Sequence, residues 1–296
     1  MSVPAAYLGV MLIWCTTPLA IKWSAEGAGF LFAAAGRMVI GAVLCVLIVL
    51  AVGGRLPWHR AARHTYAAAA MGVYGSMVLT YWGAQFVSSG LISVLFGLAP
   101  VTTGLFAAWF LQEKSFTLNR VLGMALGLGG LGLIFGAHLG DASLAGLAAV
   151  LGAVLLHSGS AVAVKRAGSG LSALTTTTGA LLFAVPAYVL TMWVAGTTWP
   201  EHISHRATVA ILYLGVFGSV IGFMLYFYAL QRTEAGRMAL INLVTPVVAL
   251  LLGQWINAEE IELRAWLGTA FIMLGLVAYE WAALSRGFSP KGDGAA

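Results

Sequence analysis

The sequence predicts an all-α polytopic membrane protein with ten transmembrane helices arranged as an inverted 5+5 repeat. Three observations carry that prediction. The 296 residues are 60% hydrophobic and only 8% charged, against about 25% charged in an average soluble domain. Apolar stretches long enough to cross a bilayer recur along the whole chain. The two halves also repeat a set of residues at a nearly constant offset. With a mean hydropathy of +0.94, the composition excludes an ordinary soluble enzyme, a disordered chain and a nucleic-acid-binding protein.

A membrane helix needs about 20 mostly apolar residues. Counted between polar or Gly/Pro-rich breaks, the spans run over roughly 4–21, 30–52, 66–86, 90–111 and 121–138, then 143–164, 171–194, 207–230, 236–256 and 264–284. The shortest break is the third, Phe86-Val87-Ser88-Ser89. Reading through it would need a helix of more than about 40 residues, too long for a bilayer. The first span has no basic leader before it, so it reads as a membrane helix and not a cleaved signal. Beyond Arg286 the tail is polar and Gly-rich, which predicts mobility. Cys15 and Cys45 both fall in apolar spans, which argues against a disulfide or a metal site.

Orientation follows from the basic residues. With the N-terminus inside, the inner segments hold Arg55, Arg60, Arg63, Lys114, Arg120, Lys165, Arg166, Arg232, Arg237, Arg286 and Lys291. The outer segments hold Lys22, Arg206 and Arg264. This bias places both termini in the cytoplasm of a bacterial-type inner membrane. The net charge of +5 is then a topology signal and needs no anionic partner.

The repeat is read residue by residue. Gly90, Pro100 and Glu113 return as Gly236, Pro246 and Glu259, at an offset of 146. Gly123 and Gly130 return as Gly268 and Gly275, at 145. Tyr81 faces Tyr226, while Trp14 and Lys22 align with His157 and Lys165. Each half holds five spans, so the second half enters the membrane from the opposite side. The units are residues 1–138 and 143–286, with 287–296 as a cytoplasmic tail. Such a repeat suits alternating access to a central site.

The doubled pattern Pro100-x12-Glu113 then Gly123, and Pro246-x12-Glu259 then Gly268, resembles the drug/metabolite transporter superfamily in its ten-helix EamA-type branch. The resemblance covers nearly the whole chain. It implies two EamA units, a central cavity lined by helices 1, 3, 4, 6, 8 and 9, and a peripheral fifth helix in each half. It also implies export of amino acids or other small metabolites.

Several side chains stand out as candidates to line such a cavity. Trp14 and Thr17 lie on helix 1, Tyr74 and Tyr81 near one face of helix 3, Thr103 on helix 4, Tyr226 on helix 8 and Asn242 on helix 9. Aromatic rings stack on apolar groups, and hydroxyls or amides bond a polar head. His157 is ionisable within a span, so it reads either as a proton relay or carboxylate contact, or as a neutral bridge between helices. Pro100 and Pro246 each remove a backbone hydrogen bond in a span and are candidate hinges. Asn242 is placed to bond the carbonyl freed by Pro246 or to contact substrate.

Arg37, near the outer end of helix 2, reads either as snorkelling to the outer interface or as pairing with an acid or an anionic substrate. Glu113 and Glu259 read as structural acids at helix ends. Glu280 is expected to reach headgroups, and Trp58, Trp193, Trp199, Trp266 and Trp281 to sit in the interfacial belts. The glycines from Gly123 to Gly132 let helix 5 approach a neighbour closely, within the fold or between protomers.

The sequence contains no Walker motif, metal-ligand cluster or hydrolase triad, so no cofactor is expected. Three readings follow. The first is a secondary transporter exporting amino acids or similar metabolites, with proton coupling through His157 as an open element. The second is an exporter of organic cations through an aromatic cage. The third is a non-transporting scaffold. The partners expected are a small-molecule substrate and the bilayer, with the protein as a monomer or a homodimer.

Overall fold

We built a computed structural model of the chain, in which residues 2–87, 89–113, 116–135, 143–197, 199–200, 202–245, 247–248 and 263–287 are described. These residues form ten helices and no strand. α1 is Val3–Ala25 and α2 is Phe30–Ala51. α3 spans 60–83 as Arg60–Ala70, a π-helical Met71–Ser76, and Met77–Gly83. α4 is broken into Ser89–Phe96 and Ala99–Leu111, and α5 is Leu118–Phe135. α6 is Leu144–Ala167 and α7 is Ala173–Val194. α8 runs His205–Leu230 with a π-helical Leu214–Gly222 inside it. α9 comprises Ala235–Ala239 and residues 241–245, and α10 is Leu263–Gly287.

Six of these stretches are long and apolar enough to cross a membrane: α1, α2, the Leu91–Leu111 part of α4, α6, α7 and α8. Leu118–Ile134 and Trp266–Tyr279 are shorter apolar helices. The chain is a multi-pass membrane protein.

Helix starts follow local chemistry. Ser2, Ser172 and Ser204 each cap a first turn, accepting from Ala5, Thr175 and Ala207 N–H at 3.4, 3.1 and 3.1 Å. α3 begins at Arg60, about a turn and a half before the apolar run at 66. His59 Nδ1 accepts from Ala62 N–H at 3.3 Å, so the helix continues past the apolar segment. α6 ends at Gly168, whose positive φ of 53° closes the helix in the left-handed region.

Pro100 sits differently from the sequence expectation. The chain turns at Gly97-Leu98, and Pro100 opens the second segment of α4. In a first turn the missing N–H has no intrahelical role to lose. The in-helix prolines among the described residues are Pro18 in α1 and Pro186 in α7. Pro246, Glu259 and the tail from 288 lie outside the described residues.

Packing sorts the helices into a core and a flank. α1 packs on α8, α2 on α7 and α8, α3 on α6 and α7, and α4 on α6 and α9. α5 and α10 pack mainly on each other, away from this core. Their seam is made by glycine. A Cβ on Gly123 would lie 2.5 Å from the carbonyl oxygen of Gly275, and one on Gly268 2.5 Å from that of Gly130. Only backbones without Cβ approach so closely.

Candidate functional site

A cavity of about 90 Å³ lies at the centre of the helical core. That is room for several water molecules or a small side chain. Its wall draws on α1, α2, α3, α4, α6, α8 and α9. α2 is the helix that the family resemblance leaves out, and it contributes Arg37.

One wall is a box of rings. Trp14 stacks on Tyr226 with centroids 5.1 Å apart. His157 meets Trp14 and Phe96 edge-on at 5.7 and 6.0 Å, and Tyr226 at a 43° tilt at 5.6 Å. Phe223 and Phe227 continue the surface along α8. The box joins α1, α4, α6 and α8, so it can form only when both halves of the chain are in place. His157 stands ten residues from the C-terminal end of α6, near mid-helix. Its neighbours are rings, and the hydrogen-bonded bridge between helices is not formed among the described residues.

Polar groups face the same space. Thr17, Thr80, Ser93, Ser160, Asn242 and Thr245 line it. Thr17 donates to the Ile13 carbonyl at 3.0 Å, and Asn242 Nδ2 donates to Ala239 O at 3.2 Å. Pro18, also in the wall, lacks the N–H that would bond the Trp14 carbonyl. Ser160 Oγ instead spans helices, donating to Ala68 O on α3 at 2.8 Å.

The structure therefore brings together five of the residues singled out from sequence: Trp14, Thr17, His157, Tyr226 and Asn242. Three others lie elsewhere. Tyr74 hydrogen-bonds Thr191 of α7 at 2.5 Å and meets Tyr188 edge-on at 5.0 Å. Tyr81 is fully buried beside the cavity, with no hydrogen bond to its hydroxyl. Thr103 shares Ser158 of α6 with Thr102, at 2.9 and 2.6 Å, and so clamps α4 to α6. The α3 residues in the wall are Ala69, Gly72, Val73, Met77 and Thr80. Tyr74 and Tyr81 each follow a wall residue by one position, and one position turns a helix by about 100°. Their side chains therefore point to α7 and the core.

Arg37 is the largest departure. Of its two sequence readings, snorkelling to the outer interface is the one that fails: it is only 2% exposed and lines the cavity. Its Nε donates to Ser219 Oγ at 3.1 Å. Depth along a helix is legible in sequence, but the side on which neighbours pack is not. Phe96 and Ser93 were also missed, because the sequence does not show which face of α4 meets the cavity, whereas Thr245 was noted along helix 9 without being assigned to the site.

Glu113 and Glu234 lie at one helical end, beyond the cavity, while Glu26 pairs with Arg206 at the other. Lys165 Nζ donates to Glu113 Oε1 at 3.0 Å and to Thr233 O at 2.5 Å. Glu113 Oε2 accepts from Ala235 N–H at 3.2 Å, capping α9. Arg120 pairs with Glu234 and lies over the Tyr279 ring at 5.3 Å. Glu113 is thus a structural acid, as its position suggests. Among the described residues no three His, Cys, Asp or Glu side chains come together as a metal site.

Comparison with known proteins agrees with this architecture. The chain matches the EamA-like transporter family twice, over residues 3–136 and 144–279. It is 27% identical over 269 residues to an "Uncharacterized transporter" of Archaeoglobus fulgidus, covering 89% of this chain and 93% of that one. It is 28% identical to a "Probable terminal-alkyne amino-acid exporter" of Streptantibioticus cattleyicolor, covering 89% and 90%. An "Uncharacterized inner membrane transporter YedA" of Escherichia coli is 26% identical, over 92% of this chain and 88% of its own. A solved crystal structure superimposes with a TM-score of 0.77 at 20% identity, covering 96% of this chain and 98% of that one, and shares the fold. With the family matched over most of its length, the chain belongs to the EamA-like transporter family.

Proposed function

We propose that the protein exports amino acids or similar small metabolites across a bacterial-type inner membrane by alternating access around the central cavity. The observation that carries this reading is the cavity itself, a ring-lined space that helices of both halves build jointly. Units 1–138 and 143–286 form an inverted 5+5 repeat, with both termini in the cytoplasm. Two local features support the inversion. The third helix of each half carries a π-helical segment at a corresponding place, Met71–Ser76 and Leu214–Gly222. At the flank, Gly123 meets Gly275 while Gly130 meets Gly268. Each contact is the repeat image of the other, as a two-fold axis requires.

Helices α3–α4 and α8–α9 rock, with the Gly97-Leu98 break, Pro100 and Pro246 as pivots. Trp14, His157 and Tyr226 hold the apolar part of the solute, and Thr17 and Asn242 its polar part. Tyr74, Tyr81 and Thr103 support the wall from behind. The relative named as an amino-acid exporter favours amino acids among metabolites.

The test is counterflow in proteoliposomes with labelled threonine, methionine, phenylalanine and choline, each with and without a pH gradient. Uptake of an amino acid above empty liposomes supports the reading. Acceleration by the gradient would promote His157 as a proton site. Uptake of choline alone, or of none of a wider metabolite panel, overturns it.

A further inference from the structure

We propose that Arg37 is the anion anchor of the central cavity, and that the transported solute carries a carboxylate that docks on its Nη1. This rests on the transport reading above and names the substrate class. A guanidinium stays charged at any pH the cell offers. Here it is 2% exposed, within a membrane-spanning helix. Among the described residues only Nε is hydrogen-bonded, to Ser219 Oγ at 3.1 Å, and that hydroxyl points onward to Met38 Sδ at 3.7 Å. Nη1, with two N–H donors, has no hydrogen-bond partner. Among the described residues no carboxylate pairs with it.

The site is built to hold this group. A Cβ on Gly218 would lie 2.6 Å from Nη2, so glycine there is what lets the guanidinium lie against α8. Ser219, the next residue, fixes the plane through Nε. A buried, uncompensated charge is strongly unfavourable, and intramembrane cations characteristically face a cavity and mark a solute path. No acidic side chain among the described wall residues neutralises this one. A carboxylate entering the cavity supplies the missing charge, and its two oxygens match the fork of donors. The ring box of Trp14, Phe96, His157 and Tyr226 then receives the apolar remainder, and Asn242 lies in the same wall. A quaternary ammonium would meet the same rings, but also an unscreened like charge.

The test measures ligand-induced thermal stabilisation of the purified full chain in detergent. The probes are paired: phenylalanine with phenylalaninamide and phenethylamine, and 3-phenylpropionate with its amide. Methionine and inorganic phosphate are added singly. Carboxylates are expected to raise the melting temperature in a saturable way, with the paired amides and the amine at least about tenfold weaker. A charge-assisted hydrogen bond exceeds the about 1.4 kcal/mol that tenfold represents. Arg37→Gln is expected to abolish the difference within each pair, and Arg37→Lys to restore part of it.

Equal stabilisation by acid and amide in the wild type overturns the proposal without any variant. So does an undiminished carboxylate response in a monodisperse Arg37→Gln, a phosphate response matching the carboxylates, or no carboxylate response at all. Counterflow separates the two readings. Carboxylate binding without exchange removes transport and leaves the anchor. Exchange indifferent to the carboxylate removes the anchor and leaves transport.

Discussion

Trp14 and Tyr226 share a stacked face at the cavity wall, and that pair sets the first expectation. An aromatic partner contributes about 0.5–1.5 kcal/mol beyond the area it buries. Trp14→Ala is therefore expected to raise the half-saturating substrate concentration about tenfold, while Trp14→Phe keeps most of the affinity. A counterflow titration that leaves Trp14→Ala unchanged would remove Trp14 from the site. Behind the wall, Ser158 receives Thr103 and also bonds Thr102. Interhelical hydrogen bonds in membranes average about 0.6 kcal/mol. Ser158→Ala is expected to lower the melting temperature by a few degrees with substrate affinity intact, which differential scanning fluorimetry reads directly. Residue-scale legibility divides along the same line. Trp14, His157, Tyr226, Thr17 and Asn242 were visible because polar and aromatic groups at mid-span are unusual. Arg37 is just as unusual, yet its direction depends on which helices pack beside it, and spacing along one strand of sequence holds no such information. Tyr74 and Tyr81 were assigned to the right helix but to a face one position away from the wall.

At the scale of elements, the α5–α10 pair shows how far composition alone can reach. The run from Gly123 to Gly132 predicts close packing, but not which of its glycines take part or what they touch. The structure answers both: Gly123 and Gly130 meet backbone of α10, and Gly127 meets Leu243 of α9. Gly129 and Gly132 have open space where a Cβ would go. Overpacking a tight contact typically costs about 1–3 kcal/mol. Gly130→Ala and Gly275→Ala are accordingly expected to destabilise the protein by that order. Gly129→Ala and Gly132→Ala are expected to be neutral or slightly stabilising, because alanine is the better helix former. Thermal melts of the four variants check the pattern, and a uniform effect across them would contradict the seam. Helix ends were legible to within a turn wherever a serine cap or a glycine marked them. The π-helical segments in α3 and α8 were not, since they change hydrogen-bond register without any change in apolar pattern.

For the whole molecule, the proposed rocking raises the question of what would keep one end of the core closed. The contacts at that end join the two halves: Glu113 of the first half binds Lys165 and caps α9 of the second, and Arg120 binds Glu234. Lys165 also bonds Thr233 in the α8–α9 connection. If α3–α4 and α8–α9 rock, these bonds must break each time that end opens. The Lys165–Glu113 pair is the shielded one, with side chains only 20% and 15% exposed, whereas Glu234 is 46% exposed. On the proposed mechanism, removing one charge is expected to shift the balance between a closed and an open form. Loss of about 1–2 kcal/mol changes such a ratio about 5- to 30-fold. Glu113→Gln is the gentlest change, because its amide oxygen can still accept from Ala235 N–H. The measurement uses Ser160→Cys in the cavity wall, with Cys15 and Cys45 replaced by alanine. A membrane-impermeant maleimide is applied separately to each face of oriented vesicles. With Glu113→Gln, labelling from the face bearing Lys165 is expected to rise about 5- to 30-fold, and labelling from the opposite face to fall. A fall in melting temperature with no change in labelling from either side would show that the cluster only braces the helix ends. A rise from both sides together would point to general loosening of the core instead of alternation.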